Sequence, residues 1–332
     1  MTVLVTGGTG SVGGAIVRAL VEQGETVRVL ARRTSRTHHL ELLNVEIAYG
    51  DIFDTTSIES ALDGCDTLFH AAAMYDLWGL NEEELTHAAV DGTRNVLNAA
   101  LSAGVDKVVY TSTAATIGEP RGEVGTEETV HRGYFLSKYE KAKFEAEKVA
   151  GSYLDRGLSL VMVNPSQAYG PGDFKPSGRF VMDYVNGRFP GLSKGIVSLV
   201  YLDDVGRSHV LAASKGKVGE RYIVSGDIVS IREVAALLSR LSGARVPPTF
   251  PDFMVGIHSY FGEAISRFTK RPPLLSIETF RGISHGLQVD GSRAATELGI
   301  EYTPLEDGAR RAIIWYWQQG LLKREPVCAM ED

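Results

Sequence analysis

The sequence of 332 residues predicts an α/β protein, with a doubly wound parallel sheet and a smaller C-terminal lobe. Two observations lead to this prediction. Strand-like and helix-like segments alternate over residues 2–110, which is the rhythm of βαβ units in a parallel sheet. A glycine-rich turn also joins the first strand to the first helix, as it does in sheets of this kind.

The apolar segments between turn residues give the expected elements. Strands are predicted at 2–6, 26–31, 45–49, 66–70 and 107–111, with two more near 158–163 and 196–200. Helices are predicted near 12–23, 56–63 and 82–103. We therefore expect the sheet domain to comprise 1–171 together with 196–225, and the lobe to comprise mostly 172–195 and 226–332.

Composition excludes several classes of function. The chain is 44% hydrophobic and 23% charged, as is usual for a globular protein with a sizeable core. A net charge of −7 argues against a nucleic acid or an anionic membrane surface as the main partner. No apolar run has transmembrane length, and the first strand starts too early for a signal peptide. Cys65 and Cys328 are too far apart to suggest a metal site, so we expect free thiols and a cytoplasmic protein.

The turn after the first strand is the first candidate binding site. Gly7 permits a tight turn, Gly10 lets backbone approach a phosphate, and Gly13 lets the helix pack on the strand. The N-terminus of that helix carries a partial positive charge, which favours a pyrophosphate. The glycines fit the G-x-G-x-x-G pattern from Gly8 and the G-x-x-G-x-x-G pattern from Gly7 equally well. A tight turn that binds nothing is the alternative.

The end of the second strand indicates which dinucleotide is bound. An enzyme that prefers NAD usually has an acidic residue here for the ribose 2′-hydroxyl. This sequence has Arg32 and Arg33 after Ala31, and guanidinium groups suit the 2′-phosphate of NADP. NADP is therefore favoured over NAD, and a solvated basic loop is the alternative. Asp51 after the third strand could accept a hydrogen bond from the adenine amino group or cap the next turn.

The catalytic chemistry is predicted between residues 108 and 138. The strand that ends in Thr111, Ser112 and Thr113 places hydroxyl groups at the edge of the sheet. Tyr134 and Lys138 are four residues apart, so a helix starting near Gly133 would present both on one face. A tyrosine has a pKa of about 10, and a nearby cation lowers it enough to make the phenol a usable acid or base.

A second pair has the same spacing. Tyr139 and Lys143 are also four residues apart, but five residues of offset turn a helix by about 140°, so the two pairs face different directions. Tyr139 falls on an apolar stripe that we interpret as the face packed on the sheet. The members of that stripe are Phe135, Tyr139, Ala142, Ala146 and Val149. This interpretation assigns Tyr134 to catalysis and Tyr139 to the core.

With these motifs the chain resembles an extended short-chain dehydrogenase/reductase of the NAD-dependent epimerase/dehydratase family. The resemblance is to the branch with dihydroflavonol reductases and farnesol dehydrogenase-like proteins. It also rests on 164–171, 201–205 and 219–222, and it is strong to about residue 240. It implies a Rossmann-type sheet, with Thr113 as the catalytic hydroxyl, Ser112 in reserve, and Pro165 and Ser166 beside the nicotinamide.

Motifs and resemblance together define the expected site. The catalytic residues would be Thr113, Tyr134 and Lys138. The dinucleotide would contact Gly7, Gly10, Ser11, Val12, Gly13, Arg32, Arg33, Asp51, Ile52, Ala71, Ala72, Ala73, Tyr134, Lys138, Pro165 and Ser166. We expect an NADP-dependent oxidoreductase acting on a small carbonyl compound or alcohol, with NAD as the alternative cofactor and a homodimer as a possible assembly. A nucleotide-sugar epimerase or dehydratase with tightly bound NAD and a non-catalytic dinucleotide-binding scaffold or sensor are the alternatives.

The remaining residues are expected to bind the substrate. Aromatic residues among glycines and prolines over 172–200 are typical of a loop-rich pocket wall. Apolar residues then recur at helical spacing from Phe253 to Phe268. That stripe is interpreted as a core or subunit-facing surface, with a lid for an apolar substrate or a weak membrane contact as the alternative.

Overall fold

The computed structural model describes residues 2–74, 81–269 and 272–330. Among these residues, seven parallel strands form one sheet and three strands form a second. The strands are β1 (Thr2–Thr6), β2 (Thr26–Ala31), β3 (Glu46–Tyr49), β4 (Thr67–His70), β5 (Lys107–Thr111), β6 (Leu160–Pro165), β7 (Gln167–Tyr169), β8 (Ile196–Tyr201), β9 (Arg221–Val224) and β10 (Asp227–Ser230).

The α-helices cover both faces of the large sheet and build the lobe. They are α1 (Ser11–Glu22), α2 (His38–Glu41), α3 (Thr55–Leu62), α4 (Glu82–Thr86), α5 (Gly92–Ala103), α6 (Lys138–Ser152), α7 (Pro176–Val185), α8 (Leu202–Lys215), α9 (Ile231–Ser242), α10 (Asp252–Thr269), α11 (Ile277–His285), α12 (Ser292–Leu298) and α13 (Leu305–Gln318). A π-helical turn, His87–Asp91, connects α4 to α5.

The large sheet has the strand order β3-β2-β1-β4-β5-β6-β9. The chain order reverses between β1 and β4, because β2 and β3 lie on one side of β1 and the later strands on the other. In open α/β sheets, ligands bind at the carboxyl ends of the strands at such a reversal. The doubly wound parallel sheet is confirmed, and its topology points to the end of β1 as the binding edge.

The sheet is buried on both faces because its strands are almost wholly apolar. Alternate side chains of a strand point to opposite faces, so Val5 and Leu4 belong to different cores. Val5 packs in the layer with α1 and α8, and Leu4 packs in the layer with α3, α5 and α6. These two cores fix the helices, and thereby the turns, at the carboxyl edge.

The lobe has its own sheet and core. Strand β8 pairs antiparallel with β10 and parallel with β7. The strand near 196–200 is therefore present, and it belongs to the second sheet and not to the large one. Its place at the outer edge of the large sheet is taken by β9, which the sequence analysis did not predict. No helix within the described ranges is long and apolar enough to cross a membrane.

Candidate active site

The turn between β1 and α1 is tightly closed. Gly7 has a φ of +75°, and its carbonyl oxygen accepts a hydrogen bond from the Gly10 N–H at 2.9 Å. A Cβ at Gly13 would lie 2.1 Å from the Gly7 oxygen, and a Cβ at Gly7 would lie 2.6 Å from the backbone of Ala71 and Ala72. Only glycine fits at either position without moving backbone. The absence of a side chain lets α1 pack directly on the turn, and lets the turn pack directly on the backbone that follows β4.

Gly10 differs from these two glycines. A Cβ there would meet nothing closer than the Gly7 oxygen at 3.4 Å, and Gly10 lines the large cavity described below. Gly10 is also the N-cap of α1, and no side chain caps the helix. Uncapped N–H groups at a helix N-terminus, with open space before them, fit the pyrophosphate of a dinucleotide. The first turn of α1 is therefore able to hold this part of NAD or NADP.

A cavity of about 940 Å³ extends along the carboxyl edge of the sheet into the lobe. Most residues predicted to contact the dinucleotide line it, and so does the predicted catalytic Thr113. Those dinucleotide residues are Gly7, Gly10, Ser11, Val12, Gly13, Arg32, Asp51, Ile52, Ala71, Ala72, Ala73, Pro165 and Ser166. The fold thus brings together segments that are up to 159 residues apart in the sequence, from Gly7 to Ser166.

The two arginines after β2 have different surroundings. Arg32 lines the cavity, whereas the Arg33 guanidinium lies 5.1 Å from the centre of the Tyr49 ring and is not part of the lining. Asp51 lines the cavity too, and one of its carboxylate oxygens accepts the Phe53 N–H at 3.0 Å. Asp51 therefore caps the turn and also lines the cavity. Of the two arginines, only Arg32 lines the cavity.

The acid–base constellation is built on α6. Tyr139 and Lys143 lie one turn apart on this helix, and both line the cavity beside Thr113. The Tyr139 hydroxyl is hydrogen-bonded to the Thr113 side chain. The buried Nζ of Lys143 donates to the Thr111 carbonyl oxygen at 2.9 Å and to the Tyr110 hydroxyl at 3.3 Å. A phenol, an ammonium and a hydroxyl thus converge at the carboxyl end of β5.

Burial and charge act in opposite directions on this constellation. Burial raises the pKa of Tyr139, while the Lys143 charge and the Thr113 hydrogen bond act to lower it. Burial also lowers the pKa of Lys143, against the pull of Tyr139 and Glu147. The two groups therefore compensate each other, because each stabilises the charged form that burial disfavours in its neighbour.

The structure does not place Tyr134 and Lys138 as we expected. The helix begins at Lys138, so Tyr134 precedes it and the two residues do not share a helical face. Tyr134 is 53% exposed and stacks under the Arg132 guanidinium at 5.2 Å, and neither Tyr134 nor Lys138 lines the cavity. The prediction that Tyr134 and Lys138 share a helical face is therefore wrong. Tyr139 and Lys143, which we had interpreted as the pair facing away from the site, line the cavity instead.

A signal in the sequence marked the true start of the helix. Ser137-Lys138-Tyr139-Glu140 has the S-x-x-E pattern of a helix N-terminus. The Ser137 hydroxyl accepts the Glu140 N–H at 3.0 Å, and the Glu140 carboxylate accepts the Leu136 N–H at 2.8 Å and pairs with Arg132. This cap excludes Tyr134 from the helix and makes Tyr139 a first-turn residue.

Ser112, the reserve candidate for the catalytic hydroxyl, is engaged elsewhere. Its hydroxyl donates to the buried carboxylate of Glu147, which also accepts from Thr116 at 2.7 Å and from the Asn164 amide at 2.8 Å. Glu147 lies one turn beyond Lys143 on α6. This network joins the ends of β5 and β6 to the helix and leaves Thr113 as the strand-end hydroxyl that reaches Tyr139.

Two buried carboxyl groups in the cavity wall were not predicted. Asp173 accepts the Ser11 hydroxyl at 3.1 Å, the Lys175 N–H at 3.0 Å and the Gly178 N–H at 2.9 Å. Glu119 accepts the Gln288 N–H at 3.1 Å through Oε1, while its Oε2 is buried with no partner among the described residues. Burial raises the pKa of Glu119 to about 7. The contacts that bring each residue into the cavity wall are distant in sequence, since Ser11 is 162 residues from Asp173 and Gln288 is 169 residues from Glu119.

Comparison with known proteins agrees with this geometry. The model of the NAD dependent epimerase/dehydratase family matches residues 3–225. The chain is 36% identical to sterol demethylase protein B of Methylococcus capsulatus, over 97% of this chain and all of that protein. It is 28% identical to cinnamoyl-CoA reductase 1 of Oryza sativa subsp. japonica, over 96% of this chain and 91% of that enzyme.

A solved structure is also similar along its whole length. The crystal structure of gox2253 superposes with a TM-score of 0.85 at 34% identity, covering 97% of this chain and 99% of that one. The fold, the glycine turn and the reductase relatives lead to one conclusion. This chain belongs to the NAD-dependent epimerase/dehydratase family of extended short-chain dehydrogenases/reductases, and it is an NAD(P)-dependent oxidoreductase.

Proposed function

We propose that the protein uses NADPH to reduce a large apolar aldehyde or ketone, or NADP⁺ to oxidise the corresponding alcohol, with Tyr139, Lys143 and Thr113 as catalytic residues. The observation that carries this proposal is the hydrogen bond of the Tyr139 hydroxyl to Thr113, with Lys143 one turn away in the same cavity wall. It replaces the pair Tyr134 and Lys138, which lies outside the cavity lining.

Each of the three groups has a defined part in the reaction. The cofactor, when bound, would supply the hydride as NADPH or accept it as NADP⁺. Tyr139 donates its phenolic proton to the carbonyl oxygen during reduction, or takes the proton from the alcohol during oxidation. Lys143 stabilises the phenolate that results, since its ammonium group is held on the Thr111 carbonyl in a buried site. Thr113 donates a hydrogen bond to the same substrate oxygen and orients it.

The preference for NADP is supported by one side chain. Arg32 lines the cavity just past β2, where Ala31 stands in place of the acidic residue that NAD-binding proteins usually have. A guanidinium can bind a 2′-phosphate through two hydrogen bonds. Arg33, which lies over Tyr49, is omitted from the proposed contacts.

The apolar substrate class is supported by the lobe. The substrate-side wall is formed mainly by aliphatic and aromatic side chains, among them Phe174, Phe180, Phe189, Val234, Leu238 and Ile283. The name of one relative, sterol demethylase protein B, is consistent with an apolar substrate that has several rings. A sugar nucleotide would leave this wall facing polar groups.

A substrate panel tests the proposal. Aliphatic ketones, polycyclic ketones, a cinnamoyl aldehyde and UDP-glucose would be offered separately with NADPH and with NADH. Net oxidation of NADPH by an apolar carbonyl compound is the expected result. Conversion of UDP-glucose without net cofactor turnover would favour an epimerase instead. Cofactor binding with no turnover of any carbonyl compound or sugar nucleotide would favour a scaffold or sensor.

A further inference from the structure

Helix α10 (Asp252–Thr269) has its large apolar side chains on the outside. Their exposed fractions lie between 44% and 89%. They are Phe253, Met254, Ile257, Tyr260, Phe261, Ile265 and Phe268. We call these seven side chains the α10 apolar face. Helices on globular proteins turn such residues to the core, so this face needs another explanation.

The side of α10 that contacts the protein is small and polar. Ser259 and Ser266 are buried, and a Cβ at Gly256 would lie 3.0 Å from the Phe280 ring on α11. The Glu263 carboxylate also faces inward, since it accepts the Ile277 N–H at the start of α11 at 2.9 Å. The amphipathic pattern is therefore inverted with respect to the protein core, and the lobe itself does not cover the apolar face.

Charge distinguishes this segment from the rest of the chain. Residues 245–271 contain four basic and two acidic residues, whereas the whole chain contains 34 basic and 41 acidic residues. One of the two acidic residues is Glu263, which is bonded inward to α11. Apolar residues on one side of a helix with basic residues near its end are typical of helices that lie in the interface of an anionic membrane.

We propose that the α10 apolar face docks on the surface of an anionic lipid bilayer, with the helix lying in the interface and not crossing it. The net charge of −7 does not oppose this docking, since the sequence segment 245–271 has two more basic than acidic residues. Seven apolar side chains entering the acyl boundary supply the favourable free energy, and the basic residues of 245–271 add attraction to anionic headgroups.

The position of α10 fits a lipid surface better than it fits a second copy of the chain. Residues 272–276, just past this helix, line the apolar cavity. A bilayer against α10 would therefore lie beside the cavity wall, where an apolar substrate dissolved in lipid could reach it. This last step rests on the proposed function, whereas the docking itself does not.

Vesicle sedimentation tests the docking without any assay of turnover. The full-length protein would be mixed with vesicles of phosphatidylcholine, and separately with an equal mixture of phosphatidylcholine and phosphatidylglycerol. We expect binding to the mixed vesicles that weakens as ionic strength rises. The double variant Phe261→Gln/Ile265→Gln should bind at least about tenfold more weakly, because two large apolar groups no longer enter the lipid.

A matched control removes two apolar side chains that are even more exposed but lie elsewhere in the chain. Leu42 and Val130 are 80% and 86% exposed, so Leu42→Gln/Val130→Gln should bind vesicles like the parent. Phe268→Ser, at a side chain that is 89% exposed, gives a second α10 variant should the first one unfold. Absence of binding to the mixed vesicles, or equal binding by the parent and the α10 variants, would overturn the proposal.

Light scattering identifies the competing explanation. A parent dimer that becomes monomeric in the α10 variants, with no binding to vesicles, would show that the face joins two copies of the chain and would also overturn the proposal. Because neither measurement uses a substrate, failure of the docking is distinguishable from failure of the proposed reaction.

Discussion

Lys143 donates a hydrogen bond from its Nζ to the carbonyl oxygen of Thr111 at 2.9 Å. This contact fixes an ammonium group at the carboxyl end of β5 and couples α6 to the strand that carries Thr113. The same helix presents Tyr139 one turn earlier, so a single contact positions all three groups.

Two tyrosine variants separate the two possible acids. Tyr139→Phe should lower kcat by about 10²–10⁴-fold, which is the usual contribution of a general acid or base. Dinucleotide affinity should be nearly unchanged, as measured by titration calorimetry. Tyr134→Phe is the matched control and should keep the parental rate, since Tyr134 does not line the cavity. Loss of activity in Tyr134→Phe alone would restore the first interpretation.

Lys143 should set the pH dependence of alcohol oxidation. Tyr139 must be deprotonated to act as the base, and Lys143→Met removes the charge that lowers its pKa. The profile of kcat should therefore move to higher pH in this variant. Lys138→Met is the control, because Lys138 is exposed outside the cavity lining. A profile that is identical in Lys143→Met and in the parent would exclude this role.

The arginine pair should distinguish NADP from NAD. Arg32→Ala should raise the KM for NADPH by about tenfold or more and leave that for NADH nearly constant, because one charge-assisted contact contributes about 1.5–3 kcal/mol. Arg33→Ala should change both values little, since its guanidinium lies over Tyr49. Equal effects of the two substitutions on NADPH would contradict the assignment of Arg32.

Much of the fold follows from the sequence, because the strands of a buried parallel sheet are short apolar runs between turn residues. β1 to β6 of the large sheet and the glycine turn are of this kind. β9 was not predicted, although Tyr222, Ile223 and Val224 form a short apolar run of the same kind. The location of β8 in a second sheet depends on its partners β7 and β10, which no local pattern reveals.

The prediction of Tyr134 and Lys138 depended on a shared helical face, which the structure does not provide because α6 begins at Lys138. The apolar stripe on α6 does pack on the sheet, as the buried Ala142 and Ala146 confirm. The cavity, however, lies at the carboxyl edge of that sheet. Residues in the first turn of α6 that face the sheet therefore reach the cavity. Tyr139, in the first turn on this side, therefore lines the cavity. The Ser137 cap is the feature of the sequence that indicates this start of the helix.

Glu119 should make stability depend on pH. Its pKa in the folded state is raised from 4.5 to about 7, so its contribution is complete below about pH 4.5 and is lost as pH rises through 7. Glu119→Gln keeps an acceptor for the Gln288 N–H and should remove this loss, which is up to about 3 kcal/mol. Denaturant unfolding of both proteins between pH 5 and 8 measures it.

The variant difference isolates Glu119 from two buried histidines. Burial lowers the pKa of His70 to about 3 and that of His209 to about 4, so their contributions are present above about pH 6.5 and are lost as pH falls. Both histidines remain in Glu119→Gln and cancel in the comparison. Parallel curves for parent and variant would show that Glu119 has an ordinary pKa.

Two glycine substitutions should have opposite signatures. Gly13→Ala places a methyl group 2.1 Å from the Gly7 oxygen and should destabilise the fold by about 1–3 kcal/mol. Gly10→Ala points its methyl into the cavity, so Tm should hold while the Kd for NADPH rises by about tenfold or more. Calorimetry of unfolding and of binding distinguishes them. A drop in Tm for Gly10→Ala of the same size would contradict the open geometry.

Asp173 belongs to both halves of the cavity at once. One carboxylate holds Ser11 at the dinucleotide turn and the backbone of Lys175 and Gly178 at the start of α7. A shift of α7 must therefore break one of these hydrogen bonds or move the turn with it. If a ligand in the lobe moved α7, it would therefore also change the affinity of the turn for the dinucleotide, and linkage would make that effect reciprocal.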